Sequence, residues 1–376
     1  MEKVSGISLE QYLKNKEEFI VLDIREKCRF DIHCIENSIC VDREFLFSGF
    51  NFDANKKYLI VSQTGKTASV LARKLQDKGL NCFYLSGGFL AYYKFLYEED
   101  LEKRDNIEIS IRKKFHKNVF SKFTKAINTY NLVEENDKIA VCISGGKDSM
   151  ILAKCFQELK RHNKFNFELV FLVMDPGYNK VNKELIETNS KILNIPITMF
   201  ESDIFENVVN IEKSPCYVCA RMRRGYLYSK AKELGCNKIA LGHHFDDVIE
   251  TILMGMLYGA QIQTMMPKLK SKNFEGMELI RPLYLVKEED IIHWRDYNKL
   301  EFLQCACKFT EELNQNVDNV SSKRAEVKEI IKNLKKNEPQ IEYNIFKSVE
   351  NVSLSTIIEY KDKNNIRHNF LDDYDN

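Results

Sequence analysis

Hydrophobic residues along this chain form short continuous runs that alternate with amphipathic segments. Short apolar runs are typical of buried strands, and apolar residues three and four positions apart are typical of helices. The predicted strands are Phe19–Ile24, Lys57–Ser62, Cys82–Leu85, Lys138–Ile143, Phe167–Met174, Ile195–Phe200 and Ile239–Gly242. The predicted helices are Thr67–Lys78, Met150–Leu159 and Val181–Leu193. This alternation predicts an α/β fold with mostly parallel strands, doubly wound after residue 127.

A glycine pair separates one predicted strand from the next helix, in the string Ser144-Gly-Gly-Lys-Asp-Ser149. Such a turn presents backbone N–H groups at a helix N-terminus, where phosphate oxygens bind. Lys147 adds positive charge, and Asp148 can face Mg²⁺. The spacing is not that of the Walker loop, and a glycine-rich turn without a ligand is the alternative. The predicted nucleotide-binding residues are Ser144, Gly145, Gly146, Lys147, Asp148, Ser149, Asp175, Gly242 and His243.

Length and composition narrow the class of protein. A chain of 376 residues suggests two or three domains, and 44% hydrophobic with 30% charged residues indicates a soluble globular protein. No apolar run approaches the roughly 20 residues that span a bilayer, and no secretory signal is evident. We therefore expect a cytoplasmic protein with no membrane partner. Its 11 cysteines are then not a disulfide framework, and Cys142 and Cys155 are assigned to the core.

One segment is strongly basic although the whole chain carries a net charge of only +1. Between Lys103 and Lys125, eight basic residues oppose two acidic ones, which gives +6 (eight minus two). Aromatic and aliphatic side chains interleave at helical spacing. Two interpretations stay open at this point: an amphipathic helix with a solvated basic face, and a surface that contacts a phosphate backbone.

Two cysteine strings form a second candidate for chemistry. Cys216 and Cys219 make a C-x-x-C, and Cys305 and Cys307 make a C-x-C further on. Three thiolates can hold a [4Fe–4S] cluster and leave one iron open. Spacing alone does not separate this cluster from a zinc site or from three unrelated buried cysteines.

The string S-G-G-x-D-S at residues 144–149 resembles the signature of the PP-loop ATP pyrophosphatases. The resemblance implies a domain of the adenine nucleotide alpha hydrolase type. It also implies that ATP is cleaved between its α and β phosphates and that a carbonyl oxygen is adenylated.

Four strings near the beginning of the chain carry another resemblance. They are Val21-Leu-Asp-Ile-Arg-Glu26, Cys34-Ile-Glu-Asn-Ser-Ile39, Leu59-Ile-Val-Ser-Gln-Thr-Gly-Lys-Thr-Ala68 and Tyr84-Leu-Ser-Gly-Gly-Phe89. This segment resembles the rhodanese domain, in which a cysteine carries a persulfide at the start of an anion-binding loop. Ser62 stands at that position. Because a hydroxyl cannot replace the thiolate nucleophile, we expect no ordinary rhodanese turnover.

Further strings span residues 105–355. They include Cys216-Tyr-Val-Cys-Ala-Arg-Met-Arg-Arg-Gly-Tyr-Leu-Tyr228, Ile239-Ala-Leu-Gly-His-His-Phe-Asp-Asp247 and Met254-Gly-Met-Leu-Tyr-Gly259. This region resembles the tRNA 2-thiocytidine synthetases, a family of PP-loop tRNA sulfurtransferases. The resemblance implies a [4Fe–4S] cluster on Cys216, Cys219 and Cys305, with Cys307 as the alternative third ligand.

The implied reaction is ATP-dependent 2-thiolation of a tRNA pyrimidine, with cytidine as the expected base. The predicted catalytic residues are Asp148, Asp246, Asp247 and Arg223. The expected cofactors are the [4Fe–4S] cluster, ATP and Mg²⁺. The expected partners are tRNA and either sulfide or a sulfur-donor protein, and a homodimer is a further hypothesis.

The predicted organisation is a rhodanese-like domain at 1–100, a basic linker and helix at 101–126, a doubly wound parallel-sheet PP-loop ATP pyrophosphatase domain at 127–360, and a tail at 361–376. Two other functions are kept as alternatives. One is sulfur insertion into, or removal from, a small molecule. The other is a non-catalytic sensor of nucleotide or sulfide.

Overall fold

The computed structural model describes residues 6–98, 101–162, 166–202, 215–303 and 323–373, without the side chains of 98, 101–103, 215–221 and 373. The chain divides into two compact units. The first comprises Met1–Gly242 and Pro267–Gln315, and the second comprises His243–Met266 and Asn316–Asn376. No helix among the described residues is long and apolar enough to cross a bilayer.

A parallel sheet lies in the N-terminal part of the first unit. Its five described strands are β1 (Gly6–Ile7), β2 (Phe19–Asp23), β3 (Ile39–Cys40), β4 (Lys57–Val61) and β5 (Cys82–Leu85), in the order β1-β5-β4-β2-β3. The helices between and after them are α1 (Leu9–Lys14), α2 (Lys27–Ile32), α3 (Phe45–Ser48), α4 (Lys66–Gln76) and α5 (Gly88–Glu98). Buried residues of β2, β4 and α4 form one core, as the predicted α/β pattern requires.

Three helical segments follow and carry the basic region. They are α6 (Leu101–Arg112), a π-helical turn (His116–Phe120) and α7 (Ser121–Tyr130). The interleaved apolar residues of this region, Phe115, Val119, Phe120 and Phe123, are all buried. Their helical spacing therefore marks the inward face of the segment.

The second sheet of the first unit has six described strands. They are β6 (Lys138–Ile143), β7 (Glu168–Asp175), β8 (Ile197–Glu201), β9 (Lys238–Ala240), β10 (Lys268–Lys270) and β11 (Glu278–Ile280), in the order β10-β11-β9-β6-β7-β8. All neighbours are parallel except β10 and β11, which are antiparallel. The associated helices are α8 (Lys147–Arg161), α9 (Lys180–Ile192), α10 (Pro215–Glu233) and, after β11, α12 (Glu288–Tyr297).

The strand order determines where a ligand is expected. The chain moves outward from β6 through β7 to β8, and then returns to the other side of β6 with β9. The order therefore reverses between β6 and β9. Open α/β sheets bind ligands at such a switch point, beyond the carboxyl ends of the strands.

The second unit is mostly helical. It contains α11 (Phe245–Gly259), α13 (Lys323–Asn337) and α14 (Ile341–Ser348), and Phe245 of α11 stacks on Phe346 of α14 at 5.0 Å between ring centres. A hairpin of β12 (Glu359–Lys361) and β13 (Arg367–Asn369) follows. Regular structure thus extends into residues 361–373, part of the segment that the sequence predicts to be a tail.

Candidate functional site

The string at 144–149 forms a tight loop between β6 and α8. Ser149 Oγ accepts from the backbone N–H of Ser144 at 3.1 Å and donates to the carbonyl of Gly146 at 2.9 Å. Gly145 has φ +83°, a left-handed conformation that favours glycine. A Cβ there would lie 2.7 Å from Ile186, so space as well as conformation requires glycine. The loop is preformed at a helix N-terminus, as an anion site requires.

Lys147 lies in the first turn of α8, held between two carboxylates. Its Nζ is 3.1 Å from Asp148 Oδ1 and 3.0 Å from Glu288 Oε1 at the start of α12. Burial lowers the pKa of this ammonium, but the two carboxylates outweigh burial, so the pKa lies above its ordinary value. Lys147 therefore keeps its positive charge beside the loop at neutral pH.

Asp175 ends β7, the strand next to β6. Its carboxylate accepts from the backbone N–H groups of Gly177 and Tyr178 and lies 3.2 Å from Lys183 Nζ. Burial raises its pKa, but these hydrogen bonds and the lysine prevail, so the pKa lies below its ordinary value. Asp175 thus fixes the turn after β7. That turn brings the Tyr178 hydroxyl to 3.5 Å from the carbonyl of Ser144.

Gly242 follows β9 on the other side of the switch point. A Cβ at Gly242 would lie 3.0 Å from the backbone carbonyl carbon of Asp148 and 3.1 Å from the backbone nitrogen of Ser149. The absence of a side chain therefore lets the chain after β9 lie directly against the first turn of α8. The structure thus brings Gly242 together with the loop at 144–149, which includes Lys147 and Asp148.

His243, Asp246 and Asp247 belong to the second unit, at the beginning of α11. The backbone N–H of His244 donates to Asp247 Oδ2 at 3.0 Å, as in a helix capping box. Arg324 Nη1 donates to Asp247 Oδ1 at 2.9 Å. Burial raises the pKa of Asp247, but His244, His243 and Arg324 reverse this, so the pKa lies below its ordinary value.

Arg223 lies on α10, the helix that begins with the cysteine string. Met222 and Tyr226 of this helix pack near Met174, the residue before Asp175. The helix therefore runs beside the carboxyl end of β7. The Nε of Arg223 is buried and makes no hydrogen bond within the described part of the chain. A buried guanidinium N–H of this kind is suited to an anionic ligand.

The proposed metal ligands are only partly described. The backbone of Cys216 and Cys219 lies in the first two turns of α10. Their side chains, and all of Cys305 and Cys307, lie outside the described residues. Where side chains are described, no group of three His, Cys, Asp or Glu could hold a metal ion. All three ligands of the predicted set, Cys216, Cys219 and Cys305, therefore stay predictions.

The rhodanese-like loop is built around a buried serine. Ser62 is 4% exposed, and its Oγ accepts from the backbone N–H of Ala68 at 3.2 Å. The hydroxyl thus stabilises the first turn of α4. Cys142 and Cys155 are both buried, which confirms their assignment to the core, and burial raises the pKa of Cys142 to about 12.

The basic segment splits into two kinds of residue. Arg112 pairs with Glu158 at 2.7 Å, and Lys122 pairs with Asp290 at 2.9 Å, so these cations hold α6 and α7 to their neighbours. Lys113, Lys117 and Lys125 are exposed. Only part of the positive charge counted in the sequence is therefore available to an external partner.

Sequence reasoning missed Glu288 and gave no role to Arg324. Glu288 lies 141 positions after Lys147 and stands in no motif, and Arg324 lies 77 positions after Asp247. Each becomes visible only when the elements are assembled.

Comparison with known proteins agrees with this geometry. A PP-loop domain model matches residues 115–317, and a rhodanese-like domain model matches residues 8–95. Both predicted resemblances are therefore confirmed. The first model covers more than half of the 376 residues.

Two relatives carry the name tRNA-cytidine(32) 2-sulfurtransferase. One, from Neisseria meningitidis serogroup C / serotype 2a, is 40% identical over 183 residues, which are 48% of this chain and 57% of that relative. The chain thus spans little more than half of its length. The other, from Syntrophotalea carbinolica, is 35% identical over 231 residues, which are 61% of this chain and 86% of that relative.

One solved structure is the U34-tRNA thiolase NcsA from Methanococcus maripaludis with its [4Fe-4S] cluster. It is 23% identical, with a TM-score of 0.48, and the match covers 62% of this chain and 79% of that one. The structure agrees with the two sequence comparisons, both in its strand order and in the loop at 144–149. This chain belongs to the PP-loop family.

Proposed function

We propose that this protein is an ATP-dependent tRNA sulfurtransferase that replaces the C2 carbonyl oxygen of a cytidine by sulfur. The observation that carries the proposal is the preformed loop at 144–149, which lies at the switch point of the parallel sheet. The names of the two relatives support tRNA cytidine as the substrate.

The reaction has two displacements. The C2 carbonyl oxygen attacks the α-phosphorus of ATP, a P–O bond forms, and the bond to the β-phosphate breaks to release pyrophosphate. A hydrosulfide nucleophile then attacks C2, and the C–O bond breaks with AMP as the leaving group. No electron transfer is needed, because the sulfur enters as sulfide.

The residues of the first unit would divide this work. The loop amides and Lys147 would bind the phosphates, where positive charge stabilises the charge that develops on pyrophosphate. Tyr178 and Asp175 border the same loop and would contact the nucleoside part of ATP. Arg223 offers its buried Nε–H to a phosphate or to the departing AMP.

Several assignments stay predictions. They are Mg²⁺ at Asp148, metal or proton handling by Asp246 and Asp247, ATP contact by His243, the domain limits, the sulfur donor and the homodimer. Cys216, Cys219 and Cys305 are the residues that would hold a [4Fe–4S] cluster. When bound on three thiolates, such a cluster supplies an iron with an open position for a sulfur ligand.

The exposed lysines are the proposed tRNA contact. Lys113 and Lys117 face solvent, and Lys114 lies 3.8 Å from the ring centre of Tyr297. A cation beside an aromatic ring is a common arrangement on RNA-binding surfaces, where phosphates and unstacked bases are bound together.

The test is product analysis with purified full-length protein, loaded anaerobically with iron and sulfide, ATP and bulk tRNA. We expect AMP and pyrophosphate in equal amounts and 2-thiocytidine in the digested tRNA by mass spectrometry. Lys147→Ala should lower formation of both AMP and thionucleoside, because it removes the phosphate-binding cation without touching the cysteines.

The alternatives give different results. AMP formation without any need for tRNA, together with no salt-sensitive tRNA binding, would favour a small-molecule substrate. The absence of AMP formation under all conditions would favour the sensor. In either case the proposed function would be wrong.

A further inference from the structure

A carboxylate from the PP-loop part of the first unit reaches into the rhodanese-like part. Glu301 follows α12 and is 7% exposed. Its Oε2 accepts from Gln63 Nε2 at 3.1 Å and lies 3.3 Å from Arg29 Nη1, and its Oε1 lies 3.7 Å from Arg25 Nη1. Gln63 directly follows Ser62 in the loop where an active rhodanese binds its anionic substrate. We call Glu301, Arg25, Arg29 and Gln63 the Glu301 clamp.

The rhodanese-like side of the clamp is rigid. The Arg25 side chain donates three hydrogen bonds to the carboxylate of Asp23, at 3.1, 3.0 and 2.8 Å, and one to the carbonyl of His33 at 2.6 Å. Its guanidinium lies 3.5 Å from the ring centre of Phe89. A planar cation held at Nε and Nη2 presents its remaining Nη1 in a fixed position to the Glu301 carboxylate.

The backbone carbonyl of Glu301 is also held by a hydrogen bond. Its carbonyl accepts from Asn189 Nδ2 at 2.8 Å, and Asn189 Oδ1 in turn accepts from the Tyr93 hydroxyl at 3.0 Å. Asn189 and Tyr93 are both fully buried. The rhodanese-like part therefore contacts the side chain of Glu301 directly, and it reaches the Glu301 carbonyl only through Asn189 of α9.

Leu303, two residues after Glu301, contacts the phosphate loop. The N–H of Leu303 donates to the carbonyl of Gly145 at 3.2 Å. A Cβ at Gly145 would lie 2.8 Å from Leu303 Cδ1, which shows how closely the leucine covers this glycine. Residues 301–303 thus join the rhodanese-like loop directly to the nucleotide loop.

We propose that Glu301 is a positioning residue, through which the rhodanese-like domain holds the phosphate loop in its nucleotide-binding conformation. The proposal rests on the proposed function only for the identity of the nucleotide. It gives a role to a domain that lacks the sulfur-carrying cysteine: its anion-binding loop takes a carboxylate of the same chain in place of a substrate. The domain then acts through geometry, without group transfer.

The first measurement needs no ligand. Hydrogen exchange of the amides at 144–149 is compared in nucleotide-free, full-length wild type and Glu301→Gln, which keeps the shape and removes the charge. We expect exchange in the variant to be about tenfold faster in this loop, because the contact that fixes Gly145 opens more often.

The second measurement is binding of the ATP analogue AMPCPP by calorimetry. We expect Glu301→Gln to raise its Kd about tenfold, and Glu301→Asp, which restores the charge, to recover most of the affinity. Arg29→Gln should weaken binding less, and the double variant should be no weaker than Glu301→Gln alone, since residues of one network are not additive. Glu184→Gln is the control, because Glu184 is half exposed and pairs with Lys180 across 3.8 Å.

The possible results distinguish failure of the Glu301 clamp from failure of the proposed function. Wild-type exchange and wild-type AMPCPP affinity in Glu301→Gln would overturn the clamp. So would losses that add in the double variant and track a lower melting temperature, because that pattern means general destabilisation. If wild type does not bind AMPCPP while the exchange difference is present, the clamp is supported and the proposed function is wrong.

Discussion

At two positions in and beside the phosphate loop, the space available determines the residue type as much as chemistry does. Gly145 and Gly242 both lie where a side chain would meet other atoms at 3.0 Å or less. Both stand in strings that carry a family resemblance, Gly145 in residues 144–149 and Gly242 in residues 239–247. A pattern of residue types can mark both glycines, while the closeness of Gly242 to Asp148 depends on which strands are neighbours.

Gly242→Ala should weaken binding of ATP analogues about tenfold or more. The added Cβ forces the backbone of Asp148 and Ser149 to move, and overpacking of this kind costs about 1–3 kcal/mol. Calorimetry with AMPCPP measures the effect. Gly225→Ala is the matched control, because it sits in a helix and no described atom lies within 4 Å of its added Cβ. Equal affinities in both variants would contradict the packing argument.

The lowered pKa of Asp247 leads us to expect that the stability of the protein depends on pH. Its folded pKa lies below its ordinary value, so its contribution is fully present above about pH 4 and is lost as the pH falls through the folded pKa. Asp247→Asn should therefore lower the free energy of unfolding at pH 7, and the difference from wild type should shrink towards pH 3. Urea unfolding at the two pH values measures this. A constant difference would show that the charge of Asp247 does not stabilise the fold.

Elements with strong patterns were predicted well. The apolar run at Lys138–Ile143 matches β6 residue for residue, and Cys82–Leu85 matches β5. The structure also contains short strands that no pattern marked, such as Gly6–Ile7 and Lys268–Lys270. Two or three residues cannot show a period, and such strands form because a neighbouring strand offers its hydrogen-bonding edge.

For the basic segment, the sequence alone predicts a surplus of positive charge but not which cations are paired. Sequence reasoning counted Arg112 and Lys122 with the other cations, because the acidic partners Glu158 and Asp290 are far away in the chain. The structure separates cations that hold helices together from those that face solvent.

This separation gives a prediction for tRNA binding. The double variant Lys113→Gln/Lys117→Gln should weaken tRNA binding and lower the slope of log K against log salt by about one unit for each lysine removed. Filter binding at several salt concentrations measures the slope. Lys180→Gln, a change of an exposed lysine on α9, is the control. An unchanged slope would mean that Lys113 and Lys117 do not contact the tRNA backbone.

At the scale of the whole molecule, the candidate site draws on segments that are distant in the chain. The loop, Asp175 and Gly242 come from three different strand ends, and the sheet order brings them to one edge. The strand patterns and the string at 144–149 were enough to predict that edge. They were not enough to predict Glu288 or Glu301, whose partners are set by how helices and loops pack around the sheet.

The cysteine assignment is also a prediction at this scale. Cys305→Ser should abolish the iron content and the visible absorption of anaerobically loaded protein, whereas Cys307→Ser should retain both. The reason is the predicted ligand set of Cys216, Cys219 and Cys305. Iron analysis with absorption spectra provides the measurement. Loss of iron only in Cys307→Ser would make Cys307 the third ligand.

The buried contact between Tyr93 and Asn189 restricts how this polypeptide can be rearranged. Cutting the chain near residue 100 would expose a hydroxyl and an amide that have adapted to one another, together with the apolar side chains around them. A rhodanese module from another protein would have to supply a hydroxyl in place of Tyr93 for Asn189, and a cation in place of Arg29 for Glu301. Exchange of the rhodanese-like segment therefore keeps the fold at this contact only if both of these partnerships are preserved.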